Sequence, residues 1–149
     1  MTERKSVARL LPLFLIYSGS LPFITGALLL ILGFETLPLF GSVADAIAAY
    51  GLVIAIFLSG IHWGQQLSLE STTSGLFISS NILAVLVWLA WLLLPLQSFL
   101  IFLVIPQLVI LTIDHSLYAQ GLIKKEYIVS RYLITGVVII CLFLAAYTL

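Results

Sequence analysis

The sequence predicts an all-α fold: a polytopic membrane protein with five transmembrane helices in one bundle, N-terminus inside and C-terminus outside. Three observations carry this. Of 149 residues, 62% are hydrophobic and 8% are charged, against about a quarter charged in a soluble domain. Mean hydropathy is +1.26. The apolar residues fall into five runs near the roughly 20 residues that a helix needs to cross a bilayer, separated by short polar, proline or glycine connections. The same composition excludes an ordinary cytosolic enzyme. It also excludes a nucleic-acid binder, which needs a basic face, and a disordered chain, which needs high charge and low hydrophobicity. Five spans use most of the chain, so residues 1–149 are read as one transmembrane domain.

The first span covers about residues 10–33. Arg4, Lys5 and Arg9 precede it like the start of a signal peptide. The apolar run is too long for one, and no convincing small-residue cleavage site follows, so it is read as a retained helix. Pro12 sits in its first turn, whereas Pro22 is interior and is expected to kink it. The second span, about 43–66, opens on Ser42 and Asp45, a Ser-x-x-Asp start signal. After Glu70 and a Ser/Thr run comes the third, about 75–94, and Pro95 marks a very short turn. The fourth, about 96–120, is interrupted by Pro106, and Gly121 is placed to stop it. Lys124, Lys125 and Glu126 read as a loop before the fifth span, about 127–149. All six basic residues (Arg4, Lys5, Arg9, Lys124, Lys125, Arg131) then fall on one side, which sets the orientation. The single cysteine, Cys141, excludes an intramolecular disulfide, a thiolate-rich metal site and covalently attached haem c.

Oriented in this way, four spans deliver their polar residues to the inner leaflet. The second ends with Ser59, His62, Trp63 and Gln66; the third begins with Ser79, Ser80 and Asn81; the fourth ends with Asp114, His115 and Tyr118; the fifth begins with Tyr127, Ser130 and Arg131. Ionisable groups at membrane depth are costly and face the bundle interior, paired. At about 100° per residue, Ala44, Ala48, Gly51, Ala55, Ser59, His62 and Gln66 form one narrow stripe. Its small residues suit close helix packing, with Gly51, Ala55, Ser59, Gly60 and Gly64 as the packing positions. Gln107, Leu111, Asp114 and Tyr118 share a face of the fourth span, and Asn81, Ala84, Trp88 and Trp91 share one on the third. Asp114 and Arg131 are expected to pair across the fourth and fifth spans.

These residues suggest a pocket on the cytoplasmic side lined by His62, Trp63, Gln66, Asn81, Asp114, His115 and Arg131. It would hold the head of an amphipathic molecule, such as a quinone or lipid, with Trp88 and Trp91 along the tail. The alternative is an accessory or assembly subunit of a larger membrane complex, or a homo-oligomer, whose polar cluster is an internal clasp. Two chemistries stay open beside these: a b-type haem between His62 and His115, and a metal held by His62, His115 and Asp114. No nucleophile, base and oxyanion hole stand in a recognisable spacing, so the sequence points away from an enzyme. No lysine lies inside a span, which excludes a retinal-type Schiff base.

The run from Tyr50 and Gly51 through Phe57, Ser59, Gly60, His62, Trp63 and Gly64, with Asp114, Tyr127 and Arg131 further on, resembles a domain-of-unknown-function family. That family includes mitochondrial transmembrane protein 69 and small bacterial inner-membrane proteins. Ser59 stands where a glycine is commoner. The resemblance implies five spans and a bacterial or mitochondrial inner membrane, and it implies no particular reaction. The translocator/tryptophan-rich sensory proteins share the length and helix count, but their Trp-x-Pro-type signatures are absent.

Overall fold

Inside hydrocarbon every backbone polar group must be paired within the chain, and helices do this segment by segment. The computed structural model describes residues 14–39, 41–68 and 74–149. Among them are five helices long and apolar enough to cross a membrane: Phe14–Ile31, Val43–Ser68, Gly75–Leu93, Leu96–Ala119 and Lys125–Tyr147. Arg4, Lys5, Arg9, Pro12 and Glu70 lie outside the described residues.

Two spans are broken where proline dictates. The first is interrupted at Gly19 and Ser20 and resumes as α1 (Leu21–Ile31) with Pro22 in its first turn. The interior kink expected at Pro22 is therefore a break and restart, because a first turn needs no N–H from proline. The Tyr50 hydroxyl donates to the Gly19 carbonyl at the break, at 3.0 Å. The fourth span divides at Leu103 into α4 (Leu96–Phe102) and α5 (Val104–Ala119). Pro106 cannot donate to the Phe102 carbonyl four residues back, so the ladder fails there.

The remaining elements follow their end signals. After α1, β1 (Thr36–Leu37) pairs antiparallel with β2 (Gly41–Ser42). The hairpin delivers Ser42, whose hydroxyl accepts from the Asp45 N–H at 3.2 Å and caps α2 (Val43–Ser68). α3 (Gly75–Leu93) ends at an extended Leu94 before Pro95. α5 closes on Gly121, at φ +76, with Gly121 N–H donating to Tyr118 O at 2.9 Å and Leu122 N–H to Leu117 O at 3.0 Å. That bond pair is a Schellman end, for which glycine is suited by its freedom to take positive φ. α6 (Lys125–Tyr147) starts two residues before its expected limit, so Lys125 and Glu126 are helical rather than loop. Glu126 in the first turn is favourable beside the positive end of the helix dipole.

α2 and α6 occupy the middle: each touches α1, α4 and α5, and α2 also carries α3 along its length. All seven residues of the α2 stripe are buried. Gly51 is there because Leu103 fills the space: a Cβ at Gly51 would lie 2.5 Å from the Leu103 side chain. Gly60 and Gly64, expected as packing positions, face elsewhere: a Cβ at either would meet nothing within 4 Å. The buried face of α3 is Ser80, Leu83, Val87 and Ala90. Of the expected face, Asn81 and Trp88 are exposed, whereas Ala84 is half-buried and Trp91 is half-buried edge-on to Phe99, with ring centres 5.1 Å apart. One end of the bundle gathers the end of α2, the start of α3, the end of α5 and the start of α6. It carries Lys124 and Lys125 and is called the basic end below.

Candidate functional site

The basic-end interior is built around Asp114, which is 0% exposed. It lies on the buried face of α5 with Gln107 and Ile110. α2 brings His62 to one carboxylate oxygen: Nε2–H donates to Asp114 Oδ1 at 2.9 Å. α6 brings Arg131 to the other: Nε–H donates to Oδ2 at 2.8 Å. His62 is 2% exposed and Arg131 5%. Three helices, two of them consecutive, are thus joined by one carboxylate, and the ion pair expected between Asp114 and Arg131 is present. Two buried charges pair here because each alone would cost several kcal/mol at this depth (roughly 3–5 when one partner is lost).

The triad leaves valences open. With Nε2–H donating to the carboxylate, His62 Nδ1 is an acceptor in neutral imidazole, and it is buried with no hydrogen-bond partner. Arg131 Nη2 is a buried donor with none. One acceptor and one donor therefore flank a carboxylate that has already neutralised the guanidinium.

The other expected site residues separate. Gln66 is buried, and its Oε1 accepts from the Leu76 N–H at 3.2 Å, capping the first turn of α3. Trp63 lies on the outer side of the bundle, edge-on to Phe77 with ring centres 5.0 Å apart. Asn81 is exposed and returns its amide N–H to Phe77 O at 2.8 Å, so its own helix satisfies it. His115 sits outside, hydrogen-bonded through Nδ1 to the Tyr132 hydroxyl at 2.9 Å. His62 is thus buried on Asp114 while His115 is exposed on Tyr132, so the two imidazoles do not share one buried space. Among the described residues, no group of three His, Cys, Asp or Glu side chains is placed to hold a metal ion.

Of the buried polar residues outside the expected site, Thr135 and Gln107 each carry an unpartnered side-chain atom. Thr135 is one helical turn beyond Arg131, and Gln107 is two turns before Asp114. They are 1% and 2% exposed, and Thr135 Oγ1 and Gln107 Nε2 have no partner. The signal for Thr135 is the four-residue step from Arg131; Gln107 already shared a face with Asp114. A small cavity of about 70 Å³ lies at the basic end, lined by Gln65, Ser68, Leu117, Leu122 and Ile123.

A family model described as "Protein of unknown function (DUF3429)" matches residues 8–147. The chain belongs to this family. The match takes in every helix described above, the triad included. No curated protein and no solved structure matches the chain.

Proposed function

We propose that this DUF3429 member binds the uncharged polar head of an amphipathic molecule at the His62–Asp114–Arg131 triad. The observation behind this is the pair of open valences, acceptor His62 Nδ1 and donor Arg131 Nη2, on groups that are nine-tenths or more buried. Buried polar atoms are nearly always partnered, and leaving one unpartnered costs about 1–3 kcal/mol. Asp114 has already balanced the guanidinium charge, so a hydroxyl or carbonyl head suits the site better than a phosphate. Quinones, quinols and neutral lipids have such heads and reach the site from the bilayer. The resemblance of the Tyr50–Gly64 run to a family of inner-membrane proteins supports a bacterial or mitochondrial inner membrane, with the basic end on the inner side.

The second reading is an accessory or assembly subunit whose triad is purely a clasp. It is favoured by the engagement of both Asp114 oxygens within the chain. Mass spectrometry of the protein extracted in mild detergent separates the two. The ligand reading predicts one small amphipathic species in stoichiometric amount, lost in folded His62→Leu. A wild-type protein carrying only bulk phospholipid overturns it and leaves the clasp.

A further inference from the structure

The open valences do not stop at the triad. Arg131 and Thr135 are four residues apart on α6, and Gln107 and Asp114 are seven apart on α5. The 2.8 Å bond between Arg131 and Asp114 fixes the register of these antiparallel helices. Both steps therefore lead away from the basic end, by about 6 Å to Thr135 and about 10 Å to Gln107 at 1.5 Å per residue. Four buried polar atoms (His62 Nδ1, Arg131 Nη2, Thr135 Oγ1, Gln107 Nε2) follow in sequence, none with a partner. At the basic end lies the 70 Å³ cavity beside Gln65, whose Oε1 is also buried and unpartnered. On the far side of Gln107 lie the buried apolar side chains Phe23, Phe99, Leu100, Leu103 and Leu142, each 0–1% exposed.

We propose that a one-ended file of water enters at the basic end, passes the triad and stops at Gln107 against this apolar plug. Water suits the series chemically. The imidazole nitrogen accepts, the guanidinium and amide nitrogens donate, and the threonine hydroxyl does both, so each site can be completed by a molecule that also donates and accepts. Buried waters occupy polar sites where protein partners are lacking. Acyl chains cannot serve the deeper positions at Thr135 and Gln107, because hydrocarbon offers no hydrogen bonds. The file goes beyond head-group binding and does not depend on it, since its test reads solvent access rather than a bound molecule.

The test uses single cysteines in a Cys141→Ala background, in vesicles of known orientation, probed with silver ion and then counted by maleimide labelling after denaturation. Ser68→Cys marks the mouth and Leu142→Cys the plug. The file predicts loss of labelling at Ser68→Cys, Thr135→Cys and Gln107→Cys when silver is added on the basic side, and unchanged labelling at Leu142→Cys. It is overturned if Thr135→Cys and Gln107→Cys are as protected as Leu142→Cys, or if silver added on the opposite side blocks them. Wild-type protein supplies a check free of folding effects. The Gln107 side-chain amide should exchange with deuterium along with that of exposed Gln120, whereas exchange as slow as the Leu142 backbone amide contradicts the file.

Discussion

Replacing Asp114 with asparagine removes a full charge and almost no volume. In the wild type the carboxylate accepts at 2.9 Å from His62 and at 2.8 Å from Arg131, and all three groups are at most 5% exposed. Asp114→Asn leaves the guanidinium as a buried cation with no counter-charge. Breaking a buried pair in this way costs about 3–5 kcal/mol. At about 2–4 °C per kcal/mol for a chain of this length, Tm should fall by about 6–20 °C. The single buried thiol, Cys141, makes the assay simple: a thiol-reactive fluorophore reports unfolding as Cys141 becomes accessible. The double variant Asp114→Asn/Arg131→Met removes both charges and should recover most of the loss, since no unpaired buried charge remains and the introduced amide oxygen can still accept from His62 Nε2–H. An Asp114→Asn protein melting with the wild type, or a double variant no better than the single, would refute the reasoning.

Other substitutions test the packing with the same assay. Gly51→Ala should destabilise by about 1–3 kcal/mol, because its Cβ would press on Leu103, whereas Gly60→Ala and Gly64→Ala should be neutral or stabilising by up to about 1 kcal/mol. Equal losses at all three would place Gly60 and Gly64 in a contact. Gln66→Leu removes the acceptor for Leu76 N–H; about 1 kcal/mol should be lost, as for other first-turn caps, with faster amide exchange confined to the start of α3. His115→Phe breaks an exposed bond to Tyr132 and should change stability by less than about 1 kcal/mol; a loss matching that of Asp114→Asn would mean that His115 belongs to the interior.

What could be read from the sequence depended on contrast with lipid. The α2 stripe was legible because its small and polar residues differ from the Leu, Val and Phe around them. Asp114 and Arg131 were legible because a charge inside a span has few places to go. The α3 face was not, since interior and lipid-facing positions there are equally apolar; Asn81 and Trp88 stood out but are exposed, whereas the buried polar residue is Ser80. Asn81 needs no interior partner, because the Phe77 carbonyl serves it. His115 follows Asp114 by one residue, about 100° around the helix, which is enough to place it outside. Thr135 escaped because a threonine in an apolar run is unremarkable until its one-turn distance from Arg131 is noticed.

The most direct measurement is an experimental density map of the protein in native lipid, inspected at the triad. The account predicts density within about 2.7–3.2 Å of His62 Nδ1 and Arg131 Nη2, the distance of a hydrogen bond. A triad sealed on every side by apolar side chains, with those two nitrogens bare, would contradict it.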